Sequence, residues 1–544
     1  NMPGFNNPQY WNYQNSTIDE ITKKIYSSNY TSYDQRTELI RQATVLGVNE
    51  SVRIFLAAKI DPFVANKNVD GVINDFGGGI TGRFTPINSR TGDSTLKIGV
   101  KQIYQGAWNP VGGLSDAYSK NIWDTLNDPG IFKDPYSGQN FPVRQKWSVQ
   151  TAGPQNKLDV PPDAINWDPT QQKWIQMGAG KKATSKITYD LQWSNWHNGQ
   201  KMDMDDVLYS VYFTQEWGTE QTKDDQTFDP EYTPTASQAA KTLVAIKPLD
   251  DHTIEVYVNY WHFDESEIAD WGGVWVTMPW QIGAAMEKIV IDGKASFSKT
   301  NAQAKSIPWL SLIIPRDAKL VSQYLQQFSD SGFVPPSLAE FKKSPAYYES
   351  RYQSTIQWIK QKNHAVISNG PFYLQSYSPE ARTITIKSFD DPSYPFSAGQ
   401  WKKFEHVDLP QITSVNVPER IVRGENMEIP IKTQFATRLY FFVNDASGSI
   451  ISNGIIPIVN DSGKILVDSD TTKKMQSGGN DIKVYAISDS VFKPDIYTTS
   501  IFAVDKTIGN YTQSVVTQKT QSQTNYGIQF ILAGIVIIIL IYFI

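Results

Sequence analysis

Between residues 406 and 506 the chain alternates apolar and polar residues in short runs, and this alternation constrains the fold more than any other feature. "ITSVNVPERIVRGENMEIPIKTQF" alternates around the turn signal Arg423-Gly424. "RLYFFVND", "ISNGIIPIV", "GKILVD", "DIKVYAISD" and "TTSIFAVD" follow, separated by Gly, Asn, Asp and Ser. Roughly seven short strands in about 100 residues is the pattern of an immunoglobulin-like β-sandwich. The expected work of such a domain is mechanical, as a stalk or a partner surface. The chain has no cysteine, so disulfides, thiolate catalysis, zinc–thiolate sites and iron–sulfur clusters are excluded.

Behind this region lies a polar stretch, "TIGNYTQSVVTQKTQSQTN" (507–525), too poor in apolar residues to offset its ordering entropy. It reads as a linker. The chain then ends on "YGIQFILAGIVIIILIYFI" (526–544), which carries no charge. As a helix its last 18 residues would be ~27 Å long, close to the thickness of a bilayer core. The expectation is a C-terminal transmembrane helix. Five N-x-S/T triplets, at Asn15, Asn29, Asn49, Asn460 and Asn510, mark candidate glycosylation sites. Together they place the N-terminal ectodomain outside the cell, anchored in the cytoplasmic membrane by the tail. The chain opens at Asn1 with no apolar signal segment, which is read as a removed signal or as a downstream piece of a larger product.

The 544 residues suffice for several domains, and their net charge of −5 is spread without a basic stripe, which argues against nucleic acid. Aromatic residues make up 12% of the chain, with 16 Trp and 27 Tyr, a surplus that can stack on sugar or peptide faces. Ordinary core filling is the competing account.

Residues 91–405 mix strands, helices and loops. "TLKIGV" (95–100), "KITYDLQW" (186–193) and "HTIEVYVNYW" (252–261) read as strands, and "ESRYQSTIQWIKQKN" (349–363) as a helix. "NGPFYLQSYSP" and "ARTITIKSF" (369–389) read as a turn and two antiparallel strands. Between the second strand and the next amphipathic helix lies "SNWHNGQKMDMDDVLYSVYF" (194–213). Its His197 and three aspartates have the composition of a metal site. The spacing favours a helix start instead. Asn198-Gly199 is a tight-turn signal, Asp203 stands where an N-cap belongs, and Asp205 and Asp206 suit the positive end of the helix dipole. Val207, Leu208, Val211 and Tyr212 then recur at helical spacing. No metal and no cofactor is expected.

These residues resemble a known family. "ITYDLQWSNWHNGQKMDMDDVLYSVYF", with Trp196, Asn198, Gly199, Asp206 and Val207, is similar to a segment of the family 5 extracellular solute-binding proteins, the oligopeptide-type binding proteins of ABC transporters. The stretch from "LKIGV" to "KWSV", with Asn109-Pro110, Asp134-Pro135 and Gly138, resembles the family's opening. "SNGPFYLQSYSPEARTITIKSFDDPSY" resembles its Gly-Pro hairpin, with Phe372 in the tyrosine position. The three blocks cover about 300 residues. Residues 1–90 resemble the family's closing segment, so the order is permuted, or the chain is the downstream part of a tandem protein with a joint near Gly77-Gly78-Gly79.

The resemblance implies a fold class of α/β: a two-lobed periplasmic-binding-protein-like domain (type II, oligopeptide-binding class) closing on its ligand by hinge motion. The expected order is therefore 1–90 closing segment, 91–405 solute-binding α/β domain, 406–506 immunoglobulin-like sandwich, 507–525 linker and 526–544 transmembrane helix. The implied function is capture of an oligosaccharide or oligopeptide at the cell surface for delivery to an ABC permease, as in surface-anchored archaeal glycoproteins of this family. The alternative is a structural surface-layer, filament or adhesion component built on a degenerate binding fold.

No G-x-S-x-G, H-E-x-x-H, P-loop or Rossmann fingerprint is present, and the carboxylate pairs Asp390-Asp391 and Asp250-Asp251 sit beside turn residues. No catalytic residue is assigned, and the chain is expected not to be an enzyme. The candidate ligand-binding residues are Trp108, Asn109, Trp271, Trp275 and Trp280. "DWGGVWVTMPW" clusters three of these tryptophans around Gly272-Gly273, and Trp108-Asn109 lies where the family's first strand meets its cleft.

Overall fold

The computed structural model describes residues 15–51, 62–222, 225–341, 343–505 and 515–519. The chain divides into two compact units: Asn1–Asn74 with Gly78–Lys133 and Gln139–Lys402, and Asp75–Gly77 with Asp134–Gly138 and Lys403–Ile544.

The larger unit opens with a helical hairpin, α1 (Ser16–Tyr26) and α2 (Tyr33–Asn49). Asn15 and Ser32 cap these helices through side-chain oxygens. The strands that follow are β1 (Gln145–Thr151), β2 (Ile165–Asp168), β3 (Lys173–Gln176) and β4 (Ser185–Leu191). Next come α3 (Met204–Trp217), β5 (Leu243–Pro248), β6 (Thr253–Val258) and α4 (Trp280–Ile291). The unit closes with α5 (Pro315–Ser331), α6 (Pro345–Lys362) and the hairpin β7 (Phe372–Ser378) and β8 (Thr383–Ser388).

Strands β1 to β6 form one six-stranded sheet in the order β1-β4-β6-β5-β2-β3, antiparallel at every junction. Short turns rather than crossover helices join β2 to β3 and β5 to β6, and turns of that length impose antiparallel pairing. Along β4 the residues Ile187, Tyr189 and Leu191 are buried while their neighbours are not. They meet Val207 and Leu208 of α3, Ile282 and Ile289 of α4 and Val321 of α5 in one continuous core.

The fold class expected from the sequence is corrected here. A two-lobed clamp has a core in each lobe. This unit has one large sheet, a main core running from that sheet through its helices, and a smaller cluster of Val160, Ala164, Ala183, Val244, Ala245 and Tyr257 on strands of the same unit. It is a mixed α/β body on an antiparallel sheet. The membrane span is the second correction: no helix of the described residues is long and apolar enough to cross a membrane, and 526–544 lies outside the described residues. A transmembrane helix is thus no part of the architecture described here. Nor do residues 95–100 form a strand. They are irregular, with Ile98 and Val100 exposed, because no neighbouring strand offers them a ladder.

The smaller unit contains β9 (Gln411–Pro418), β10 (Arg420–Val422), β11 (Met427–Gln434), β12 (Arg438–Asn444) and β13 (Ile450–Pro457). Then come β14 (Ser462–Val467), β15 (Gly478–Ser488), β16 (Val491–Val504) and β17 (Val515–Lys519). They make a four-stranded sheet, β14-β11-β9-β17, and a five-stranded sheet, β10-β16-β15-β12-β13. All pairings are antiparallel except β10 with β16. Strict alternation on β11 buries Met427, Ile429 and Ile431 against Leu439, Val443 and Val484 of the other sheet.

Candidate functional site

The segment 194–213 fixes the site. Gly199 takes φ +81°, as the turn after Asn198 requires. His197 is buried: its Nε2 lies 3.1 Å from the carbonyl of Gly370, to which it donates, and its Nδ1 accepts the Ser368 N–H at 3.2 Å. Burial lowers its pKa to about 3, so the ring is a neutral staple that holds the start of β7.

Asp203 caps α3, and Asp206 answers its backbone N–H at 3.1 Å to complete a capping box. Asp206 does more than cap. Its Oδ1 accepts the backbone N–H of Trp280, the first residue of α4, at 3.0 Å and a guanidinium hydrogen bond from Arg351 of α6. Its Oδ2 also accepts from the Trp196 indole at 3.2 Å. One carboxylate thereby ties together the starts of α3 and α4 and the middle of α6. Burial pushes its carboxyl up to about 6, opposed by Arg351 and by the N–H groups of Trp280 and Asp203. The Arg351 guanidinium also donates to the Lys201 carbonyl at 2.7 Å and lies 5.6 Å from the Trp280 ring centre. Asp205 is 1% exposed, and its Oδ2 has no partner among the described residues. Burial raises its carboxyl to about 7, with Asp203 adding to the rise.

One turn further along, α3 and α4 separate enough to leave a cavity of about 180 Å³. Asp206, Tyr209, Ser210 and Phe213 line it from α3, and Trp280, Gly283 and Met286 from α4. Pro110 and Val111, the irregular run Trp275–Pro279 and Tyr232 complete the wall. Gly283 is required: a Cβ there would lie 2.8 Å from a Tyr209 ring carbon. Behind the wall, Glu287 of α4 is 7% exposed and accepts from Tyr209 (2.5 Å), Tyr212 (2.8 Å) and the Trp217 indole (2.8 Å).

Of the five residues expected to bind ligand, Trp275 and Trp280 are brought together on this cavity. Trp108 is wholly buried and Asn109 touches no free space. Asn109 accepts the N–H groups of Val111 (3.1 Å) and Gly112 (2.8 Å), and donates to the carbonyls of Phe297 and Leu310. It therefore shapes the loop that presents Pro110 and Val111 to the cavity. Trp271 lies elsewhere, stacked 4.5 Å from Tyr260 and donating to the Thr242 hydroxyl. Sequence reasoning missed Tyr209, Phe213, Tyr232 and Glu287. The spacing Asp206, Tyr209, Ser210, Phe213 marks a second face of α3, and Glu287 is the one acid inside the apolar run "WQIGAAMEKIVI".

A wider hollow of about 370 Å³ lies among Phe328, Val334, Tyr348 and Tyr352, with Lys343 and Glu349 also lining it, and none of the sequence-predicted residues reaches it. Among the glycosylation candidates, Asn29, Asn49 and Asn460 are exposed. Asn15 is half-buried, caps α1 and donates to Glu50 at 2.7 Å, and Asn510 lies outside the described residues. Among the described residues no group of His, Cys, Asp and Glu could hold a metal ion.

No protein-family model and no curated protein matches the chain. Among solved structures, the endo-β-1,4-mannanase from Thermotoga petrophila is matched at 10% identity over 42% of this chain and 43% of that one, with a TM-score of 0.14. That likeness is too slight to carry an argument.

Proposed function

We propose that this chain is a solute-binding protein that captures an oligosaccharide or oligopeptide by inserting one group of it into the α3–α4 cavity. The observation that carries this reading is the cavity itself: a half-open pocket lined largely by aromatic residues and framed by two helices that meet at Asp206. Its volume admits one ring or side group and not a whole chain. The nearest carboxylate, Asp206, spends its lone pairs on four donors, which suits framing better than proton transfer. Binding without catalysis is therefore the reading favoured here. The exposed sequons Asn29, Asn49 and Asn460 support a place outside the cell, and the family resemblance makes an ABC permease the onward partner. A thermal-shift screen of the chain against panels of oligosaccharides and short peptides tests this. A saturating rise with one panel supports capture. The rise should vanish in Ser210→Leu, which fills the cavity from α3. A flat response to both panels from a cooperatively folding protein overturns it.

The alternative, a surface-coat or adhesion component, is favoured by a different observation. Ile455, Tyr440, Tyr485 and Ile496 pair in register across β13, β12, β15 and β16, and Ile455 (55%), Tyr440 (36%) and Ile496 (47%) are exposed. Concentration-dependent self-association, lost in Tyr440→Glu, would support it. A monomer at all concentrations would count against it.

A further inference from the structure

We propose that the hollow of about 370 Å³ between the end of α5 and the start of α6 is a second ligand site, and that it takes a free apolar α-amino acid as its zwitterion. The hollow shares no lining residue with the α3–α4 cavity. Its floor is apolar: Phe328, Tyr348 and Tyr352 are buried and Val334 is half-buried. Gly332 ends α5 in the left-handed region, at φ +62°, and turns the chain so that Val334 reaches the hollow. The floor rings are packed by neighbours, Phe328 stacking on Phe333 at 4.4 Å, so they offer a ligand apolar surface and not free faces.

Most polar groups of the hollow are already committed. The Tyr352 hydroxyl donates to the Phe333 carbonyl at 2.7 Å, and the Tyr348 hydroxyl to the Leu338 carbonyl at 3.4 Å. The Ser329 hydroxyl donates to Oε2 of Glu349 at 2.7 Å and accepts from Gln353 at 2.9 Å. Two exposed groups are left, the Lys343 ammonium and Oε1 of Glu349. Among the described residues Lys343 makes no ion pair; its Nζ lies 5.6 Å from the Tyr347 ring centre, and its field reaches the buried Asp205. Lys343 stands two residues before the first residue of α6, and Glu349 one turn into that helix. Pro345 and Glu349 are ~6 Å apart along the axis, and the flexible lysine stem adjusts the remaining gap. An amino acid presents the complement: a carboxylate for Lys343, an ammonium for Glu349 and a side chain for the floor between them.

The competing ligand classes fit less well. A simple anion gains Lys343 and meets Glu349, and a simple cation meets the reverse. A sugar would strand its hydroxyls on a floor whose own hydroxyls are committed. A longer peptide would carry its terminal charges apart by roughly 3.3–3.6 Å per added residue, past the span that Lys343 and Glu349 bracket. The space itself is sufficient: a dry cavity of about 150 Å³ admits benzene, so the hollow has room for a leucine or phenylalanine with its head group.

The test is calorimetric titration of the full chain with L-leucine, with N-acetyl-leucine and leucinamide, which each lack one charge, and with glycine, which lacks the side chain. Leucine should bind saturably, with the other three at least about fivefold weaker. Lys343→Gln should weaken leucine about fivefold and leave leucinamide no weaker. Glu349→Gln should weaken leucine as much and leave N-acetyl-leucine no weaker. Ala346→Trp fills the hollow from α6 and should abolish leucine binding. All three positions are exposed, so none of these changes opens the core. Equal affinity for leucine, its acetyl derivative and its amide overturns the proposal, as does leucine binding that survives Ala346→Trp. Absence of leucine binding to the unaltered chain overturns it too. None of these outcomes bears on the α3–α4 cavity, which has its own test in Ser210→Leu.

Discussion

The two units build their interiors by opposite rules. The sandwich core is apolar, from Ile412 to Ala503, and its buried polar side chains, Thr433, Thr472, Asn480 and Ser488, are all neutral. The larger unit buries Arg83, Arg144 and Arg351, with Asp128, Asp206 and Glu287 among its acids. Burying charge is a poor route to stability, because desolvation offsets most of the attraction. Burying apolar surface is the direct route. The difference teaches that the larger unit's charges serve placement. Asp206 sets the starts of two helices at one point. Asp128, held between Arg83 (2.7 Å) and Arg144 (2.9 Å), accepts the Trp275 indole on its carbonyl at 2.9 Å and so sets one wall of the cavity.

The largest expected effect breaks that placement. Arg351→Ala leaves Asp206 buried without its counter-charge and should cost about 3–5 kcal/mol in urea unfolding, with ligand binding lost alongside. Asp206→Asn combined with Arg351→Met removes both charges and should recover much of the stability without the binding. A cost below about 1 kcal/mol for Arg351→Ala would show that water reaches the pair and that the contrast between the units is overdrawn.

The next effect is in pH. Asp205, raised from an ordinary 3.8 to about 7, binds its proton more tightly folded than unfolded. Between about pH 4 and 7 the folded state therefore holds the extra proton, and stability falls as pH rises through that window. His197 and His364, lowered to about 3 and about 4 by burial, act oppositely, since there the unfolded chain holds the extra protons up to about pH 6.5. The readout is accordingly the difference between Asp205→Asn and the unaltered chain. The variant should lose the falling contribution, worth on the order of 3 kcal/mol from pH 4 to 8. Identical pH profiles would mean that Asp205 is solvated.

What was legible in the sequence follows the range of the forces involved. The α3 start was readable because capping is local: Asp203, Asp206 and the Asn198-Gly199 turn lie within nine residues. The alternating strands β4, β6 and β11 were readable for the same reason. The site was half legible. Trp275 and Trp280 drew attention as an aromatic cluster, and they do line the cavity. Trp271, from the same cluster, was taken by Tyr260 and Thr242, partners whose proximity only the fold creates. Arg351 lies 145 residues from Asp206, so no local pattern could pair them. The strand order of the six-stranded sheet was also hidden, because it depends on which hairpins dock, and period-2 alternation does not record that.

Within the sandwich the same logic predicts modest, additive effects. Ile429→Val trims one methylene from a fully buried site on β11 and should cost about 1 kcal/mol, unchanged between pH 5 and 8. A pH-dependent cost would mean that an ionisable group reaches that core and would erase the contrast between the units.

The smallest effect is the sharpest test. Arg438 of β12 contacts Asp489 at 2.5 Å, and the two side chains are 43% and 62% exposed. Arg351 and Asp206 make an equally intimate contact at 1% and 0% exposure. The chemistry of the two pairs is the same, guanidinium on carboxylate, so burial is the variable that separates them. At the surface, water competes for both partners and salt screens them, so Arg438→Ala should cost no more than about 0.5 kcal/mol and less still in 1 M salt. If Arg438→Ala cost as much as Arg351→Ala, contact geometry would outweigh burial, and the larger unit's interior charges would be ordinary stabilising pairs. If the costs differ about tenfold, as expected, the Asp206–Arg351 contact is held by its surroundings, and the cavity beside it inherits that rigidity.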